Sequence, residues 1–406
     1  MNLYCWEVAK ILKRRSSRIA LILALCWTVL GMLVNIFYGN SYKVDDQTPR
    51  ILGPQEIRNQ LEWAEAWRGP LTEEKMMSAQ QIIYDTARDP EKLDVQGEIR
   101  NDVWNREIRP LVGMWNVISN IGNAVYKISY QEWQYTEPSV LQTAYADRKT
   151  EVTEWLQSQL PDETDRAVFE AQEAQVQTPF YYDWYSGQFS TIILLGTLLV
   201  GVCLFVCIAV APLFAGEVQT GMIAVSHASR HGRSRLTGAK IAAAFTVAAV
   251  TWLLCTVLIV VLQIAFFGTR GLACPIQLAK PLATAPLTFA DCEVYMLALG
   301  LLYCLSSTGI TIALSARFSS AFPVIVWVFG LLVLLPLFGG MLPWAVQQAI
   351  ALLPGAGDMY DLFRLNLYHL FGKPIWSPVM QMAIQPVYLV IAIPAAALLY
   401  LCREVR

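Results

Sequence analysis

The chain has 406 residues, 55% hydrophobic and only 15% charged, with mean hydropathy +0.41; these values suit a polytopic membrane protein and exclude an ordinary soluble globule. The net charge of −2 hides a segregation, because residues 39–187 carry 25 acids and 14 bases whereas the remainder carries 7 acids and 16 bases. Such asymmetry implies two faces in two solvents, and bases placed beside apolar runs speak against a nucleic-acid partner.

Residues 1–18 predict a short interfacial helix. Tyr4, Val8, Ile11 and Leu12 recur at helical spacing, and Lys10, Lys13, Arg14, Arg15 and Arg18 form a polar side suited to an anionic inner leaflet. A plain basic tail is the alternative; both place the N-terminus in the cytoplasm. Residues 19–38 predict the first span, which lacks a small-residue cleavage site and is long enough to remain as an anchor.

Residues 39–187 predict a large extracellular helical domain. Helical patterns run over 54–67, from Thr72 as a cap, and over 96–108, 110–130, 138–159 and 163–176, with Pro90, Pro110, Pro138 and Pro161 at the breaks. Trp63, Trp67, Trp104, Trp115, Trp133 and Trp155 are expected in its core. Pro179 to Tyr185 reads as an aromatic belt at the outer interface. The acidity of the domain either steers cationic peptides or only keeps it soluble.

Further spans are predicted over 188–214, 241–267, 289–315, 318–342 and 379–402, with a cytoplasmic loop at 215–240 and short outer helices at 343–377. The fold class is thus an all-α membrane protein of six transmembrane helices, with the large insert between the first and second. Both termini then lie inside, with 12 bases on the cytoplasmic face and 4 on the two short outer segments. All nine cysteines lie outside 39–187. An exported domain without thiols needs no oxidative folding, which suits the cell membrane of a bacterium. Cys274 and Cys292 either bridge or remain unpaired apolar fillers.

The predicted spans hold few ionisable groups: Asn35 and Gln263 are neutral, and Asp291 and Glu293 fall at the outer end of the fourth. Ion-coupled carriers bind their driving ion on buried carboxylates or histidines near mid-membrane. The energy for any uphill transport is therefore expected from outside the chain. Neither a phosphate loop nor a zinc-protease, paired-thiol or nucleophile-elbow motif occurs, so no catalytic residue, metal or cofactor is assigned to it. His227 and His231 are read as polar loop residues rather than a metal pair, and His369 is given no role.

The segment 215–240 carries Arg230, Arg233, Arg235 and Lys240 against Glu217. A helical piece from Glu217 to about Ala228, broken at His231-Gly232, would make a rigid lever; an ordinary positive-inside loop is the alternative. The order Glu217, Gly221, Ser229, Arg230, Arg233, Leu236, Lys240 between the second and third of six spans resembles the loop of type-2 ABC exporter permeases. The family has a proline before the Ser-Arg pair, where this chain reads Ser226-His227-Ala228. The resemblance spans 1–38 and 188–406. It implies a dimer with a second permease copy, identical or homologous, each docked through Glu217–Leu236 on a cytoplasmic ABC ATPase that binds ATP and Mg. Export of a peptide, lipid-like molecule or drug would follow. A membrane-anchored ligand-binding or sensory protein built on 39–187 is the competing expectation.

Overall fold

The computed structural model describes residues 3–42, 50–228 and 234–403. Its six apolar helices, each long enough to cross a membrane, are Arg15–Gly39, Ser186–Gln219, Ser234–Phe267, Phe289–Arg317, Ala321–Gly339 and Ser377–Leu401, called spans 1 to 6 here. A separate N-terminal helix, Leu3–Lys13, precedes span 1. Spans 2 and 4 bury 50% and 56% of their most apolar windows, against 17% for spans 5 and 6. The bundle is therefore centred on spans 2 and 4, with span 1 packed on span 2, span 6 on span 4, and span 3 against spans 1, 2 and 4.

Contacts sort the connecting segments into two sets. At one end, the insert between spans 1 and 2 meets the span 3–4 and span 5–6 connections. Asp183 receives two hydrogen bonds of 3.0 Å from Arg270, Arg148 donates to the carbonyls of Pro281 and Ala283, and His369 pairs with Asp165 at 2.8 Å. At the other end lie the N-terminal helix, the span 2–3 connection, the span 4–5 turn and the end of span 6. There Arg403 donates to the carbonyls of Ala316, Arg317 and Phe318, satisfying acceptors that the end of span 4 leaves open. Successive connections thus alternate ends, as six crossings require.

The insert is mostly helical, with its main helices at Gly53–Glu65, Glu73–Arg88, Val112–Tyr126, Ala144–Gln159 and Glu163–Glu173. Thr72 caps the second by accepting from the Lys75 N–H, and Pro90, Pro138 and Pro161 lie outside these helices. Trp115 and Trp133 are buried, whereas Trp63, Trp67, Trp104 and Trp155 are half-buried. One apolar core runs from Met76, Ile118 and Trp133 of the insert through to Leu195 and Val202 of span 2. Gly53 begins the first helix so close to span 1 that an added Cβ would collide with the Ile36 carbonyl oxygen. Gly53→Ala is expected to destabilise the protein by about 1–3 kcal/mol, read as a lowered melting temperature in detergent.

The structure departs from the sequence reading in three places. Residues 179–185 are not an interfacial belt: Phe180, Tyr182, Trp184 and Tyr185 are buried while Tyr181 is exposed. This stretch pairs Tyr181–Tyr182 with Gly69–Pro70 and packs the rings of Phe180, Tyr182, Trp184 and Tyr185 into the core shared by insert and spans. Residues 343–377 are not only short helices, since Leu367–Leu370 and Lys373–Trp376 form a hairpin around Phe371 and Gly372, both at positive φ. With these two small two-stranded sheets, one a hairpin and one a long-range pair, the fold is mostly helical with little sheet. The expected helix from Glu217 to about Ala228 breaks at Gly221, whose φ of +71° precedes a separate helix Met222–Ala228; His231-Gly232 lies outside the described residues. Of the two readings of Cys274 and Cys292 the structure agrees with unpaired fillers, since both are buried and unbridged.

Candidate functional site: an ionic cluster at the foot of spans 2, 3 and 6

Pro212 cannot donate to the helix ladder, so span 2 is interrupted where it leaves the bundle. The gap is filled from span 4. Ser315 Oγ accepts from the N–H groups of Phe214 and Ala215, both at 3.0 Å, and donates to the Ala211 carbonyl at 2.7 Å. This fixes the helix Pro212–Gln219 so that Glu217 turns inward rather than towards solvent.

Glu217 there joins four elements. Lys240 of span 3 donates to Glu217 Oε1 in a close ion pair, and Lys10 of the N-terminal helix donates to the same oxygen at 2.8 Å. Tyr400 of span 6 donates to Glu217 Oε2 at 2.8 Å, with its ring 4.6 Å from that of Phe214. Glu7 stands 3.6 Å from Lys240 and 3.8 Å from Lys10. Two acids and two bases balance, which is what makes so buried a cluster tolerable. Lys240 is wholly buried, with Glu7 and Glu217 at 3% and 6% exposure. Burial pulls the Lys10 ammonium down, but its hydrogen bond to Glu217 and the charges of Glu217 and Glu7 outweigh this and hold it above its ordinary value. A raised folded-state value means the Lys10 contribution is complete at neutral pH and is lost only as pH rises through the alkaline range.

Of the predicted coupling residues, Glu217 and Lys240 come together inside the protein. Gly221 makes the left-handed turn that follows, and Leu236 is half-buried in the first turn of span 3. Ser229, Arg230 and Arg233 lie outside the described residues. Of the predicted leaflet-anchoring bases, Lys13, Arg15 and Arg18 are exposed. Lys10 instead serves Glu217, and Arg14 sits against Gly216, its Nη2 3.1 Å from where a Cβ would stand. Only part of that basic face is therefore free to meet headgroups.

Sequence reasoning missed Glu7 and Tyr400. A lone acid three residues before Lys10 in a basic helix was the available signal for the first; nothing local marked the second. It also missed an apolar feature. Helix Met222–Ala228 buries Ile223 but leaves Met222 52% and Val225 64% exposed, one turn apart, beyond the end of span 2. The spans are also less bare of charge than expected. Glu217 and Lys240 lie at their ends, and Glu293, one turn inside span 4, is buried with Gln263 Nε2 donating to it at 2.9 Å. Comparison with protein-family models, curated proteins and solved structures returns no match.

Proposed function

We propose that this chain is the membrane-spanning permease subunit of a type-2 ABC exporter, with 212–240 as the segment gripped by a cytoplasmic ATPase. One observation carries the reading: Glu217 ties the N-terminal helix, span 3 and span 6 together at the foot of a short helix that presents Met222 and Val225 outward. A push on that helix reaches three membrane elements through one carboxylate, which is the linkage a lever needs. Exposed apolar residues outside the bilayer span want a partner, and a basic segment beside them favours one with acidic character.

In this reading the termini and the cluster face the cytoplasm of a cell membrane, the insert faces outward, and a second permease copy completes the conduit. The partner binds ATP and Mg; this chain supplies no nucleotide site. Glu217 and Lys240 act as positioning residues behind the docking face, and Gly221 and Leu236 flank the segment that carries it. The ion pair at the ends of spans 2 and 3 is self-neutralised, which leaves Glu293, among the described residues, as the buried carboxylate without a cation and favours nucleotide hydrolysis in a partner as the drive.

Purification of the full chain from native membranes is expected to bring down an ATP-binding-cassette ATPase. Met222→Glu/Val225→Glu is expected to weaken that complex by about tenfold or more, since it places charge at the centre of the docking face. ATPase stimulation should fall in parallel. An unaltered complex would reject the docking assignment, and gradient-driven transport by the isolated chain without nucleotide would reject the exporter reading.

A further inference from the structure

The flank where span 1 meets span 3, beneath the N-terminal helix, is concave. A groove of about 260 Å³ is walled by Val8 and Leu12 of that helix, Leu21 and Leu25 of span 1, and Val250 and Leu254 of span 3. The Thr246 hydroxyl at its edge is already engaged, accepting from Tyr4 and donating to the Ala242 carbonyl. The wall offers apolar surface alone. Leu12, Val250 and Leu254 are each about half-exposed, so the groove opens sideways to the surrounding hydrocarbon. Thr246 to Leu254 covers about 12 Å along span 3, a stretch that a lipid tail can follow.

Charge borders one end of the groove. Leu12 and Leu21 both line it, so the bend between the N-terminal helix and span 1 runs along its rim. That bend carries Lys13, Arg15 and Arg18, all exposed. Arg18, Leu21 and Leu25 fall at i, i+3 and i+7, one stripe of span 1, which sets the Arg18 base one turn before the apolar wall begins. Lys13 directly follows the wall residue Leu12 at the end of the N-terminal helix. Apolar walls closed at one end by bases from two different helices fit an amphiphile whose head is an anion.

We infer that this groove seats one anionic phospholipid from the leaflet on the side of the N-terminal helix. A tail lies against Leu21, Leu25, Val250 and Leu254, and the phosphate is held by Lys13 and Arg18. Apolar walls alone cannot select it, because surrounding tails are equally apolar; the cations supply the choice among headgroups. The seat has a structural consequence. Val8 and Leu12 roof the groove, so an occupied groove braces the helix whose Lys10 holds Glu217. The lipid thereby supports the ionic cluster from outside, whatever the cluster drives.

The test uses the full chain in nanodiscs of phosphatidylcholine with a minor share of phosphatidylglycerol, released for native mass spectrometry. Wild-type protein is expected to retain phosphatidylglycerol over phosphatidylcholine. Val250→Trp, which fills the groove from a lipid-facing position, should abolish that retention, with Leu254→Trp as a second variant should the first fail to insert. Lys13→Gln/Arg18→Gln should weaken it about 30-fold, the effect of two cations beside an anionic headgroup. Equal retention of both lipids overturns the proposal. So does a loss in the charge variant with none in either tryptophan variant, since that pattern marks surface attraction without a seat.

Discussion

Lys240→Met is expected to cost about 3–5 kcal/mol of stability, while Glu217→Gln/Lys240→Met costs less than the single change. The reasoning starts from burial. Lys240 is wholly enclosed and Glu217 nearly so, and their close pair sits where water cannot compensate a lone charge. Removing the ammonium leaves Glu217 and Glu7 with Lys10 as their one contacting cation among the described residues and Arg14 acting only from farther off, so the buried carboxylates lose their closest compensation. Removing both charges leaves Glu7 and Lys10 to balance each other, and the glutamine oxygen can still accept from Lys10 while its amide nitrogen donates to the Tyr400 hydroxyl. A double-mutant cycle on thermal unfolding in detergent reads the coupling directly. A double variant as unstable as the sum of its singles would show that the two side chains do not act on each other, and with that the four-way joint would be lost.

How far this joint was legible in advance depends on range. Spans declare themselves because a helix needs about twenty apolar residues to cross a bilayer, and that is a property of one continuous stretch. Thr72 and the prolines at 90, 138 and 161 are equally local, each acting through its own backbone donor or its lack. Glu217 and Lys240 stood out as charges at span ends, yet their sequence separation gave no hint that they touch; charge in a loop reads as solvated until a fold encloses it. Tyr400 lies 183 residues from Glu217, and only packing of span 6 on span 4 brings it near. The ring run at 179–185 misled for a related reason. Aromatic density looks the same at a lipid interface and in a core, and the burial that separates them appears only once the stretch has partners in the insert and the spans. The hairpin at 367–376 was hidden by its Phe371-Gly372 turn, in which a bulky residue takes a positive φ that glycine or asparagine would have advertised.

At the opposite end of the molecule, Arg148→Lys is expected to loosen the insert from the span 3–4 connection, and Arg148→Ala to do so more strongly. Arg148 is 2% exposed and uses its planar fork fully. Two nitrogens reach Glu173 at 2.6 and 3.0 Å, Nε donates to the Pro281 carbonyl at 2.6 Å, and Nη2 also reaches the Ala283 carbonyl at 3.2 Å. One guanidinium therefore locks helices Ala144–Gln159 and Glu163–Glu173 together and fastens both to the loop between spans 3 and 4. Lysine offers a point charge that can keep the Glu173 pair but cannot serve two carbonyls in fixed directions as well. About 2 kcal/mol of loss is expected for lysine and about 3–5 kcal/mol for alanine, which strands Glu173 and the Pro281 carbonyl while Ala283 keeps its bond from Gln277. The discriminating measurement is hydrogen exchange: backbone amides over 276–288 should lose protection in both variants while those of spans 2 and 4 keep theirs. Equal loss of protection throughout the chain would mean that Arg148 supports the fold at large, and that insert and bundle do not part along this seam.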